Sequence, residues 1–116
     1  MLISFNDILQ QAYQDKYAVG SFNGYNYETF KGIIEAGAET KQAVILAFGA
    51  KYLQNMSLET AALLAKSLSE ESGTPVCLHL DHCSSLDTVF RAIRSGFGSV
   101  MYDGSALTFE EYLQNT

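Results

Sequence analysis

In the stretch Val76-Cys77-Leu78-His79-Leu80-Asp81-His82-Cys83 an apolar run ends in two histidines and an aspartate, and these are the only histidines among the 116 residues. Burying such groups at the end of an apolar strand costs free energy unless they bind something or move protons. An imidazole beside a carboxylate can ligate a hard or borderline metal, or work as an acid–base pair. Alternate residues of a strand share a face, so His79 and Asp81 fall on one side while His82 begins the following loop. A metal on His82 would then sit beside Asp81 without Asp81 ligating it. A complete zinc site takes three or four ligands, and no third histidine exists to supply one. His79 reads as a satisfied core histidine. The Asp81–His82 pair reads as functional.

Other polar residues stand just beyond apolar runs and could share the site. Asn23 follows Ala18–Phe22, and Gly49-Ala50-Lys51 follows Ala43–Phe48. Asp103 follows Ser99–Tyr102. Asn23 could orient a substrate hydroxyl or brace the loop before the next helix. Asp103 could be a second carboxylate over the same cavity, although Asp103-Gly104-Ser105 reads first as a capped turn. A desolvated Lys51 could form a Schiff base with a carbonyl. It lies outside any apolar strand, however, and reads as a solvated cation. Cys83 is read as a small packing residue rather than a ligand or nucleophile.

The elements that must position these groups alternate along the chain. Ser4-Phe5-Asn6-Asp7 reads as a capping box opening a helix with Ile8, Leu9, Ala12 and Tyr13 on one face. Asn26 caps a second helix with Phe30, Ile33, Ile34 and Ala38 at core spacing. Ser57 opens a third through Leu58, Ala62, Ala65 and Leu68, closing at Gly73 before Pro75. Ser84-Ser85-Leu86-Asp87 reads as another capping box, leading through Val89, Phe90 and Ile93 to Gly96. A fifth helix begins near Thr108, with Glu110 and Glu111 in its first turn. The apolar runs between helices do not alternate in polarity and read as strands buried on both faces of a parallel sheet. The class is α/β, either an open doubly wound sheet or a barrel. No G-x-G-x-x-G follows the first strand, which argues against dinucleotide binding. In either architecture the candidate residues gather on the rim at the C-terminal strand ends.

Composition narrows the function further. Seven Lys and Arg against thirteen Asp and Glu give a formal charge of −6, which argues against a nucleic-acid partner. No run reaches membrane-spanning length and the N-terminus lacks the pattern of a signal peptide, so no membrane association is expected. Two cysteines, Cys77 and Cys83, do not make a disulfide framework, and a cytoplasmic location is expected.

The motifs together resemble the class II, zinc-dependent ketose-bisphosphate aldolases, along essentially the whole chain. Ser21-Phe22-Asn23 with Asn26 resembles the family's first strand end, and Pro75 through His82 its H-x-D-H signature. Gly96 through Ser105 resembles the following strand and turn, and Phe109-Glu110-Glu111 with Thr116 the next helix. The resemblance implies a (β/α)8 TIM barrel, with residues 1–116 as its N-terminal half and about four βα units present. It implies that Ser4–Gln14 is an extra helix covering the barrel bottom. It implies reversible aldol cleavage of a ketose 1,6-bisphosphate, such as fructose or tagatose bisphosphate, to dihydroxyacetone phosphate and an aldehyde. In that chemistry zinc polarises the ketone. By the same resemblance His82 is a zinc ligand and Asp81 the acid–base residue at the C4 hydroxyl. Asn23 lies near the substrate, and Asp103 can hold an alternative metal position. The loop Phe48–Tyr52 looks shorter than the family's and lacks its phosphate-contacting hydroxyl. A whole barrel needs roughly 250 residues, so the remaining zinc histidines, a catalytic glutamate and the main phosphate loops are expected beyond Thr116. The chain is therefore expected to associate with itself or with a C-terminal half, and to have little activity alone. A non-catalytic half-barrel module is the alternative.

Overall fold

The computed structural model describes residues 1–116. The elements run α1 (Phe5–Asp15), β1 (Ser21–Asn23), α2 (Tyr27–Thr40), β2 (Val44–Gly49), α3 (Leu58–Ser72), β3 (Val76–Cys83), α4 (Leu86–Ser95), β4 (Ser99–Tyr102) and α5 (Phe109–Asn115). A single turn of 3-10 helix, Ala50–Tyr52, follows β2. The strands form one parallel sheet in the order β1-β2-β3-β4. Strand order equal to chain order leaves no topological switch point, and α2, α3 and α4 all pack on one face. That is the winding of a barrel arc and not of a doubly wound sheet.

The packed face is built from every second residue of the two central strands. Val44, Leu46 and Phe48 of β2 and Val76, Leu78 and Leu80 of β3 form one cluster with Phe30 and Ile34 of α2, Leu58, Ala61, Ala65 and Leu68 of α3, and Val89 and Ala92 of α4. Phe30 and Phe48 meet edge to face with centroids 6.0 Å apart, a favoured aromatic geometry. The opposite face carries Ala47, Gly49, His79 and Asp81 in register. At its lower end Ile8 of α1 packs with Ile45 and Cys77. The segment leading into α1 is tied to the N-terminal ends of β3 and β4: Ile3 N–H donates to Val76 O at 2.8 Å and Phe5 N–H to Gly98 O at 3.1 Å. The first helix therefore covers the bottom of the sheet. No helix is long and apolar enough to cross a membrane.

Several boundaries and faces differ from those expected. The first strand begins at Ser21 rather than Ala18, and all three of its residues are exposed. Burial on both faces holds for β2 but fails for β1 and β4, because each is an edge with a neighbour on one side only. On α1 only Ile8 and Ala12 are buried, while Tyr13 points to solvent. On α4 Val89 and Ala92 face the core, while Phe90 and Ile93 remain about half exposed. Neither helix has a second neighbour to cover its other apolar side.

The caps differ in detail too. Asn26 and Thr29 form the one reciprocal box of the first four helices. Ser4 accepts from Asp7 N–H, but the Asp7 carboxylate takes the Ser4 hydroxyl and does not reach back to the backbone. Aspartate is one methylene shorter than the glutamate that usually closes the box. On α4 the cap is Ser85 bonded to Thr88 N–H, one residue later than expected.

Phe48→Ala should lower the stability of the chain by about 3–5 kcal/mol, the cost of emptying a fully buried aromatic site. Phe22→Ser, on the exposed edge strand, should cost under about 1 kcal/mol by the same scale. Urea midpoints of the two variants check the contrast.

Candidate active site

The C-terminal ends of three strands and the turn after a fourth bring the polar residues together. Asn23, Gly49, Ala50, Lys51, Asp81, His82 and Asp103 line one open cleft of about 280 Å³. All four residues singled out from the sequence are therefore at one mouth. A larger groove of about 500 Å³ lies between β1 and α2, lined by Phe22, Ile33, Ala36 and their neighbours, and holds no titratable side chain.

The strand path decides how the H-x-D-H segment presents its groups. In a regular strand Asp81 and His82 would point to opposite faces, and His82 would enter the helix-packed core. Instead β3 continues to Cys83, and its pairing with β4 shifts between Leu80 and Cys83. His82 takes φ +50°, a left-handed conformation. A bulge of this kind re-aims a side chain, and it brings the imidazole back over Asp81. His82 Nε2 lies 3.9 Å from Asp81 Oδ1. The expectation that His82 starts a loop is thus corrected: it lies within the strand, at its bulge. Cys83 returns to the packed face, buried, as a packing residue.

A line of polar contacts runs across the mouth. Asn23 Nδ2 donates to Asp81 Oδ2 at 3.4 Å. His82 Nδ1 and Asp103 Oδ2 are 2.9 Å apart, and Asp103 Oδ1 accepts from Ser105 N–H at 3.0 Å. Asp103 therefore caps its turn and also orients His82, so two readings of this residue are compatible. Its hydrogen bonds from Ser105 and His82 hold its pKa down to about 2. The hydrogen bond to Asp103, with Asp81 close by, raises that of His82. With Nδ1 engaged by the Asp103 carboxylate, neutral His82 keeps its acceptor lone pair on Nε2, the proton arrangement of a metal-binding histidine with a carboxylate partner.

The residues present do not close a metal site by themselves. No three His, Cys, Asp or Glu side chains of the chain are disposed to hold a metal ion between them, and a catalytic zinc takes three protein ligands. Lys51 is exposed, with its ammonium 5.1 Å from the Tyr52 ring centroid. It lacks the apolar burial that would activate it for Schiff-base chemistry. His79 and Ser99, which sequence reasoning left out of the site, lie just beneath it. The strand-period spacing of His79 and Asp81 was the available signal.

Comparison with known proteins identifies the family. The family model described as "Fructose-bisphosphate aldolase class-II" matches residues 3–116. The chain belongs to the class II fructose-bisphosphate aldolase family. It is 42% identical over 114 residues to the sulfofructosephosphate aldolase of Alkalicoccus urumqiensis, covering 98% of this chain and 40% of that protein. It is 36% identical over 117 residues to the fructose-bisphosphate aldolase of Helicobacter pylori (strain ATCC 700392 / 26695), covering 100% of this chain and 38% of that one. The crystal structure of the YdjI aldolase from Escherichia coli K12 superposes with a TM-score of 0.84 at 33% identity, over 98% of this chain and 44% of the other. The chain thus spans about 40% of the length of the curated relatives it matches. It carries the first four βα units of the family's TIM barrel.

Two measurements test the local geometry. His82→Gly should be more stable than His82→Ala by about 1 kcal/mol, since both lose the imidazole and only glycine takes φ +50° freely. The His82 titration followed by NMR should have its midpoint above 6.5, and Asp103→Asn should move it down. The sign follows from the two shifts. The stabilising contribution of the raised His82 is complete below 6.5 and fades as pH rises through its folded value. That of the depressed Asp103 is complete above 3.8 and fades as pH falls toward about 2.

Proposed function

We propose that residues 1–116 act as the N-terminal part of one aldolase domain that reversibly cleaves a phosphorylated ketose, such as fructose or tagatose bisphosphate, to dihydroxyacetone phosphate and an aldehyde. The observation that carries the reading is the convergence of Asn23, Asp81, His82 and Asp103 on one cleft at the C-terminal strand ends. That is where barrels of this kind place their chemistry. Relatives named for fructose bisphosphate and for sulfofructose phosphate share a phosphorylated ketose, which is the substrate class proposed.

Asp81 is the acid–base group. Its carboxylate opens to the cleft and moves the proton of the ketose C4 hydroxyl as the C3–C4 bond breaks or forms. Asn23, already bonded to Asp81 Oδ2, steadies that carboxylate and offers its amide to a substrate hydroxyl. His82 offers Nε2 as one zinc ligand, and Asp103 orients it or takes an alternative metal position. When bound, zinc would supply Lewis-acid polarisation of the substrate carbonyl. Its other ligands are assigned to residues outside this chain.

The chain is further proposed to work only in association, with a second copy or with a C-terminal half. Edge strands β1 and β4 have free sides, and Phe90, Ile93, Phe109 and Leu113 expose apolar surface near the second edge. The same exposed edges favour the alternative reading, a half-barrel that assembles and keeps the motif without turnover.

Zinc content and aldol cleavage, measured on the chain alone and mixed with the C-terminal part of a family member, test the proposal. Zinc uptake and EDTA-sensitive cleavage are expected only on mixing. Asp81→Asn should then lower kcat by about 100-fold or more, the scale of a lost general acid–base group. A fully active monomer, or a borohydride-trapped adduct on Lys51, would overturn it. Assembly with neither metal nor turnover would favour the alternative.

A further inference from the structure

We propose that His79, held by Ser99, is the residue that positions the Asp81 carboxylate from below. This rests on the reading of Asp81 as the acid–base group. His79 and Asp81 project from the same face of β3, and His79 is the register partner of Ser99 on β4 and of Ala47 on β2. The small Ala47 leaves room on one side. On the other, His79 Nδ1 and Ser99 Oγ are 2.8 Å apart. The Phe5 ring of α1 stacks against the imidazole with centroids 6.3 Å apart and planes 28° from parallel. The ring is thus fixed on two sides, with Nε2 directed at Asp81 Oδ1, 3.8 Å away.

The proton arrangement follows from which groups face one another. Burial lowers the pKa of His79, opposed by the nearby Asp81, so the ring is neutral at pH 7 and has one N–H and one acceptor nitrogen. If Ser99 donates its hydroxyl proton to Nδ1, the N–H sits on Nε2 and points at the carboxylate. The reverse tautomer would direct a lone pair at a carboxylate oxygen, two acceptors facing each other. Electrostatics therefore selects Ser99 O–H to Nδ1 and Nε2–H toward Asp81. Asp81 Oδ1 then lies between His79 and His82, and Oδ2 is held by Asn23. A short closure of the 3.8 Å gap completes a hydrogen bond, as contacts at reacting groups commonly do once substrate is bound. His79 does not touch the reacting atoms. Its part is to fix where the carboxylate stands.

Imidazole nitrogen NMR of the 116-residue chain tests the first link. Wild type should show His79 as the single Nε2–H tautomer, and Ser99→Ala should convert it to a mixture. An Nδ1–H tautomer, or no change in Ser99→Ala, overturns the proposal. The second link is read in the chain mixed with the family C-terminal part. His79→Leu should lower kcat by about 10-fold or more with KM little changed, the scale of a lost supporting hydrogen bond. His79→Gln, whose amide can place a donor where Nε2 stood, should recover most of it. Equal kcat in all three overturns the positioning role. Activity that survives Asp81→Asn, or a mixture with no cleavage, counts against the aldolase reading instead. In that event the tautomer result alone decides whether Ser99 and His79 form the pair.

Discussion

The site depends on the two-sidedness of β2 and β3. Leu46, Phe48, Leu78 and Leu80 must face the helices, because nothing else in a chain of this size offers them a dry environment. Once they do, strand period 2 leaves no choice for the residues between them. Ala47, Gly49, His79 and Asp81 face the other way, side by side in register. A slip of one residue would put His79 and Asp81 into the apolar layer, where an unpaired carboxylate costs several kcal/mol. Core packing thus fixes the position of the polar groups. The small Ala47 and Gly49 leave the inner face open above them.

His82 is the one group that this rule would have misplaced. Strand alternation sends it to the packed face, and only the bulge at φ +50° returns it to the mouth. A left-handed histidine is held against a cost of about 1–2 kcal/mol. Such outliers persist where the surroundings over-determine them, and they cluster at functional sites. Here the surroundings are visible. Asp103 grips Nδ1 from the next strand end, Asp81 lies beneath Nε2, and Asp103 N–H is tied back to Cys83 O at 2.8 Å.

Most of this was legible in the residues, for physical reasons that also explain the failures. Local signals placed the helices, since caps such as Asn26 and Ser57 act within one turn and glycines such as Gly73 and Gly96 adopt the left-handed geometry that ends them. The sheet and the rim followed from alternation of strand and helix. The choice of barrel over doubly wound sheet came only through the family resemblance of the motifs, because strand order is set by long-range contacts with no local signature. Exposure of Phe90 and Ile93 was hidden for the same reason: their apolar character is real, but no neighbouring element of the fold covers it. The bulge left no mark beyond two polar residues in succession, and the partnership of His79 with Ser99 spans two strands.

The most weakly held residue of the cleft is Asn23, and its weakness comes from its place on an edge strand. Asn23 hangs from a strand of three exposed residues with a neighbour on one side only. Its end is drawn down at Gly24, whose N–H donates to Ala47 O at 2.9 Å and where a Cβ would press into Phe30 and Leu46. Beyond that anchor the reach to Asp81 is 3.4 Å, at the long limit of a hydrogen bond. The Asp81, His82 and Asp103 group, by contrast, is pinned by the central strand and its bulge. A strand added beside β1 would restrain Asn23 and would leave that group largely as it is. In this architecture the Asp81, His82 and Asp103 part of the cleft is set by the core already present, whereas the place of Asn23 depends on a strand edge with a neighbour on one side only.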